Sequence, residues 1–294
     1  MKQDLVLSCF AGARVPAGVP FEHPIRVIQW DAPASSGHPS WTAAADRLRA
    51  APWRKGPLLR ALLATFGVRL ADVGRIAVIG FSAGSNNGIR ELLRSDEDRA
   101  RIDVALAVDG LHPNLAASPG EPPRGAYADW QAELEPFAAM AERAALGHAA
   151  MVATASDVAA PSAGNGKTAR VLADLVSELA QRTASAPLGA PALPPNFPSS
   201  GDPYRPTSSA ERGGFSALWY PGTDKTAHIL QGTAVIRDLW RDVLSRRWSP
   251  GTIAALTSST SSAPARPVIS GPTVPRYLPG AVALASVAGL LLTR

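Results

Sequence analysis

The sequence predicts an α/β fold: a mostly parallel sheet of about six strands with helices on both faces. Short apolar, β-branched runs alternate with longer segments of helical periodicity, the pattern of a parallel sheet buried on both sides. At 294 residues and 46% hydrophobic content, the chain can bury a substantial core. The alternation stops near Trp248. A single folded domain is therefore expected over residues 1–248, followed by an extended linker at 249–276 and an apolar segment at 277–294.

The first strand is expected at residues 4–9. Its apolar run before Cys9 is too short for a secretory signal, and Asp4 interrupts the basic start such a signal needs. A second strand is expected at 26–30. A helix follows over 41–66, with Ala, Leu and Arg at helical spacing and Thr42 as a cap near its start. Next come a strand at 75–79, a helix at 85–94, a strand at 102–108, a helix at 127–146 and a strand at 149–154. In the helix at 168–181, Val171, Leu172, Leu175, Val176 and Leu179 fall on one face. The last strand, 215–220, leads to a helix at 229–246. There Ile236, Leu239, Trp240, Val243 and Leu244 form the buried stripe, while Arg237, Arg241 and Asp242 face water.

Two segments interrupt this order. Residues 184–214, rich in Pro, Ser and Gly, are a candidate lid or pocket wall. Residues 249–276 have the Ser/Thr/Pro/Ala composition of a linker that cannot bury enough apolar surface to order itself. Beyond them, 278–292 carries no charge. Its 15 residues would make a helix of about 22 Å, short of the ~30 Å hydrocarbon core. Three readings stay open: a short membrane anchor, a helix docking on the domain or a partner, and a processed sorting tail. As an anchor, with arginines mostly before it and only Arg294 after, it would leave the domain on the cytoplasmic side.

The net charge of +5, from 29 basic against 24 acidic residues, is spread along the chain and describes a solvated surface rather than a nucleic-acid site. With Cys9 alone there is no intrachain disulfide and no multi-cysteine zinc site. The five histidines show neither HxxxH nor HExxH spacing, so no metal site is expected. Gly164-Asn165-Gly166-Lys167-Thr168 looks like the end of a phosphate-binding loop, but Pro161 stands where the loop needs its first glycine.

The strongest chemical signal is Gly80-Phe81-Ser82-Ala83-Gly84, placed between a strand and a helix. A serine on such a turn is strained and exposed, so the positions two before and two after it must be small, and both are glycine. A serine hydroxyl is a weak nucleophile and needs a base, normally a histidine held by a carboxylate. His228 follows the last strand and directly precedes a long amphipathic helix. His112 is the rival, standing after the strand at 102–108.

Over residues 4–248 this arrangement resembles the α/β-hydrolase superfamily. Its catalytic order is Ser, then Asp or Glu, then His, with the His in the loop after the last strand. The resemblance implies Ser82 as nucleophile and His228 as base. Asp157, after the strand ending near 154, is the preferred acid. Asp109 is the alternative in a variant placement, and Asp224 comes third. The oxyanion hole would use the N–H of Ala83 and that of Phe10, with Ala11 the alternative, although no His-Gly-Gly-Gly run is present. Asp31-Ala32-Pro33-Ala34-Ser35-Ser36-Gly37 loosely fills the slot of the superfamily's Asp-x-Pro-Gly-x-Gly segment. The implied activity is hydrolysis of a small-molecule or lipid-like carboxylic ester through an acyl-enzyme, without a cofactor. The alternatives are an amidase, peptidase or cell-envelope esterase of the same fold, and a non-catalytic binding or structural protein.

Overall fold

Side chains alternate along each strand between two buried layers, which sets the architecture. The computed structural model describes residues 2–9, 21–29, 57–82, 84–111, 127–158, 167–189 and 204–248. The strands are β1 (Gln3–Cys9), β2 (Ile25–Gln29), β3 (Val73–Phe81), β4 (Ile102–Val108), β5 (Ala150–Ser156), β6 (Ser208–Arg212) and β7 (Phe215–Tyr220). The helices are α1 (Leu58–Thr65), α2 (Arg90–Leu93), α3 (Asp96–Arg101), α4 (Tyr127–Ala145), α5 (Lys167–Arg182), α6 (Lys225–Leu230) and α7 (Ile236–Trp248). A π-helical turn at Gly84–Ile89 leads into α2, and another at Gln231–Val235 joins α6 to α7.

These seven strands form one sheet in the order β2-β1-β3-β4-β5-β7-β6. Every neighbouring pair is parallel except β6 with β7. From β1 the chain crosses to β2 on one side, then returns past β1 to β3 on the other. Connections therefore diverge between β1 and β3, and such a switch point opens a crevice at the carboxyl ends of the strands.

On one face Leu5, Leu7, Val78, Ala105 and Met151 pack against Leu59 and Leu63 of α1, Phe137 and Met140 of α4, and Leu172 and Leu175 of α5. On the other, Val6, Ala77, Ile79, Leu106 and Val152 pack under Leu239, Trp240, Leu244 and Trp248 of α7. Each buried Leu or Ile contributes about 1.5–3 kcal/mol, so helices on both faces stabilise the sheet.

Polar contacts fasten the amino ends of the strands. The buried carboxylate of Asp4 accepts from the Arg75 backbone N–H at 2.8 Å and from its guanidinium at 2.9 and 2.5 Å. That guanidinium lies 5.1 Å from the ring centre of Trp248, whose indole N–H donates to Asp103 at 2.7 Å. Arg247 pairs with the same aspartate at 2.9 Å, so α7 ends locked onto β1, β3 and β4.

The structure differs from the sequence expectation in four places. The strand missed among the six is β6, inside the segment 184–214 expected to be a lid. Its sequence Ser-Ser-Ala-Glu-Arg is half exposed on the sheet edge and carries no apolar run to signal a strand. Helix α3 was also missed, although Ser95 caps it and Asp96, Glu97 and Asp98 fill its first turn. The expected helix at 85–94 begins as a π-helical turn and becomes α-helical only at Arg90. The last helical run starts at Lys225 rather than Ile229, because Asp224 caps it. Residues 41–56 of the expected first helix, 190–203 of the expected lid, and both 249–276 and 277–294 lie outside the described residues. Among the described residues no helix is long and apolar enough to cross a membrane.

Candidate active site

The turn after β3 is left-handed at Ser82, with φ +52°. A non-glycine residue there costs about 1–2 kcal/mol, so its surroundings must hold it. The Ser82 N–H donates to the Val108 carbonyl at the end of β4, 2.9 Å away, and the Ser85 N–H donates to the Ser82 carbonyl at 3.0 Å. The buried Ser85 hydroxyl donates back to the Gly80 carbonyl at 2.6 Å, closing the turn. A Cβ at Gly80 would come within 2.7 Å of the Ser85 nitrogen, the steric demand expected of that position.

His228 reaches this turn from α6. The Asp224 carboxylate accepts the Ala227 N–H at 2.9 Å, so the helix starts early and carries His228 in its first turns. The sequence pattern predicts His228 in the preceding loop; this cap is why it lies in the helix instead. The imidazole Nε2 stands 3.0 Å from Ser82 Oγ, while Nδ1 stands 2.6 Å from Asp109 Oδ2. Against an ionised carboxylate Nδ1 carries the proton, which leaves the Nε2 lone pair to accept from the serine hydroxyl. The Phe81 ring lies against the imidazole with centroids 4.6 Å apart.

The carboxylate on His228 belongs to Asp109, not to the preferred Asp157. Asp109 directly follows β4, whose Val108 pairs with Phe81 beside Ser82. The carboxylate is 1% exposed, and it accepts from the Ser156 N–H at 2.9 Å and the Ser156 hydroxyl at 2.8 Å. The end of β5, expected to place a carboxylate on His228, instead supplies the donors that hold Asp109. Asp109 is also left-handed, with φ +42°, and its N–H donates to both the carbonyl and the hydroxyl of Thr154 at 3.1 and 3.0 Å. Next to it Gly110 lies so close to the Ser82 turn that a Cβ would sit 2.3 Å from the Ser82 carbonyl oxygen. The third candidate acid, Asp224, is occupied as the helix cap.

Sequence reasoning missed the residues around this trio. Ser156 and Thr154 frame Asp109, and the buried Gln231 accepts from the Thr154 hydroxyl. Tyr204 stacks on Tyr220 with centroids 5.2 Å apart, and its hydroxyl donates to the Ala227 carbonyl at 3.0 Å, just before His228. Burial, and then the charge of Asp109, push the Tyr204 phenol up to about 12. The available signals were hydroxyl residues at the end of an apolar strand and an Asp-Gly pair, which tolerates a left-handed bend. Phe10, Ala11, Ala83 and His112 lie outside the described residues. Among the described residues no group of three or more His, Cys, Asp or Glu side chains is placed to hold a metal ion.

Serine, imidazole and carboxylate thus meet at the carboxyl ends of β3, β7 and β4, from positions far apart in sequence. Compared with known proteins, the chain matches no family model and no curated protein.

Proposed function

We propose that the chain is a serine hydrolase of the α/β-hydrolase type that cleaves a carboxylic ester, with Ser82 as nucleophile, His228 as general base and Asp109 as the acid. The observation that carries this reading is the continuous Ser82–His228–Asp109 relay, with spacings of 3.0 and 2.6 Å. Ser82 Oγ attacks the ester carbonyl while His228 Nε2 takes its proton. Asp109 fixes the imidazole tautomer and stabilises the imidazolium that forms. His228 then gives the proton to the leaving alcohol, and the acyl group stays on Ser82. Water attacks the acyl-enzyme by the same proton path, releasing the acid and restoring the serine. The strained backbone at Ser82 and the doubly held carboxylate of Asp109 support the reading, because a pre-set relay needs little reorganisation during reaction.

The substrate class is a small-molecule or lipid-like ester. Preference for an ester over an amide rests on the breadth of the superfamily the sequence resembles. The test is hydrolysis of 4-nitrophenyl esters of graded acyl length by the purified chain, followed from the first turnover. A burst of about one equivalent of nitrophenol, as an accumulating acyl-enzyme gives, absent in Ser82→Ala, is the expected result. Turnover that survives Ser82→Ala would overturn the assignment.

A further inference from the structure

We propose that Gln231 is a positioning residue for Asp109, acting through the Thr154 hydroxyl. The inference rests on the triad reading above. Gln231 is fully buried and lies three residues beyond His228 on the same helical run. A chain of hydrogen bonds leads from it to the acid, and its polarity is fixed at one end. The Asp109 N–H can only donate, so at 3.0 Å the Thr154 oxygen accepts. The single Thr154 hydroxyl proton is then free for an acceptor, and Gln231 Oε1 is the acceptor in place.

One helical run therefore holds Asp109 from two directions. His228 meets its carboxylate, and Gln231, through Thr154, supports its backbone. Asp109 needs that support, because its φ of +42° is sparsely populated for an aspartate and persists only when neighbours over-determine it. The role also fits the place of the acid after β4, since Thr154 stands on the adjacent strand, where it pairs with Val108.

The test uses the full chain with Thr154→Val, Thr154→Ser, Gln231→Met and the Val/Met double variant, each checked for folding by circular dichroism. Two quantities are read: the rate of fluorophosphonate labelling of Ser82, and the downfield NMR resonance of the His228 Nδ1 proton. Thr154→Val and Gln231→Met should each slow labelling about tenfold, and the double variant should be no slower than either single. Both single variants should also move the downfield resonance upfield. Thr154→Ser keeps the hydroxyl and should stay within about twofold of the native rate.

Native labelling and an unmoved resonance in the folded Thr154→Val and Gln231→Met variants would overturn the proposal, as would a Thr154→Ser variant as slow as Thr154→Val. If the native chain takes no label while the resonance responds as stated, the hydrolase reading fails and the positioning role stands. One measurement needs no substitution. In the native chain the Thr154 hydroxyl proton should exchange slowly with solvent, and fast exchange would count against the link to Gln231.

Discussion

Two of the three almost completely buried aspartates among the described residues, Asp4 and Asp109, lie at opposite ends of the sheet, and their partners differ in kind. At the amino ends Asp4 faces a guanidinium that is always charged and takes three hydrogen bonds from Arg75. His23 stands 3.7 Å away, beyond hydrogen-bond reach of a carboxylate already satisfied. At the carboxyl ends Asp109 takes two bonds from Ser156, whose donors are neutral, and its third partner is an imidazole. Neutral donors orient that carboxylate without cancelling its charge, which stays available to stabilise an imidazolium. The first aspartate locks strands and α7 together. The second is held just as firmly but is left electrostatically open toward a group that can gain and lose a proton.

The comparison is broken most sharply by exchanging each carboxylate for an amide. Asp109→Asn should lower ester turnover about a thousandfold or more, because an amide favours the wrong imidazole tautomer, while the melting temperature changes little. Asp4→Asn should do the reverse. Leaving Arg75 without its counter-charge should cost about 3 kcal/mol in a denaturant titration, with turnover by the remaining folded protein nearly native. Ser156→Ala removes one neutral donor from Asp109 and should slow turnover about tenfold, measured with the same esters. Asp224→Ala removes the cap of α6 and should cost about 1 kcal/mol of stability by denaturant titration.

The smallest effect concerns Tyr204. Its folded-state pKa of about 12 lies above the ordinary tyrosine value of 10.0. Between those values the folded chain holds a proton that the unfolded chain has released, so stability falls as pH rises through that window. A Tyr204→Phe variant should show a shallower alkaline loss in pH-dependent melting, and an unchanged slope would contradict the assignment.

Much of this was legible in the sequence. The strands at 102–108 and 215–220 fall where expected, since their apolar runs are long and bounded by turn residues. That Ser82 and His228 would meet was legible because a tight strand-to-helix turn demands small neighbours and because few histidines compete. Which carboxylate meets His228 was not. β4 and β5 are adjacent and parallel, so their carboxyl ends lie side by side and either could present a carboxylate. What decides is a left-handed Asp109 beside Gly110, set against hydroxyls two residues apart on the next strand, a conjunction visible only once the sheet is assembled. β6 was illegible for a simpler reason: an edge strand of polar residues beside β7 has no apolar period to read. Gln231 gave no signal either, since a buried amide and an exposed one look alike in sequence.

The most direct test of the central claim is intact-mass measurement of fluorophosphonate labelling of the purified chain, beside Ser82→Ala, Asp109→Asn and Asp157→Asn. The account predicts a single adduct on the native chain, none on Ser82→Ala, strongly slowed labelling of Asp109→Asn, and a native rate for Asp157→Asn. No adduct on the folded native chain, or slowing by Asp157→Asn with Asp109→Asn unaffected, would contradict it.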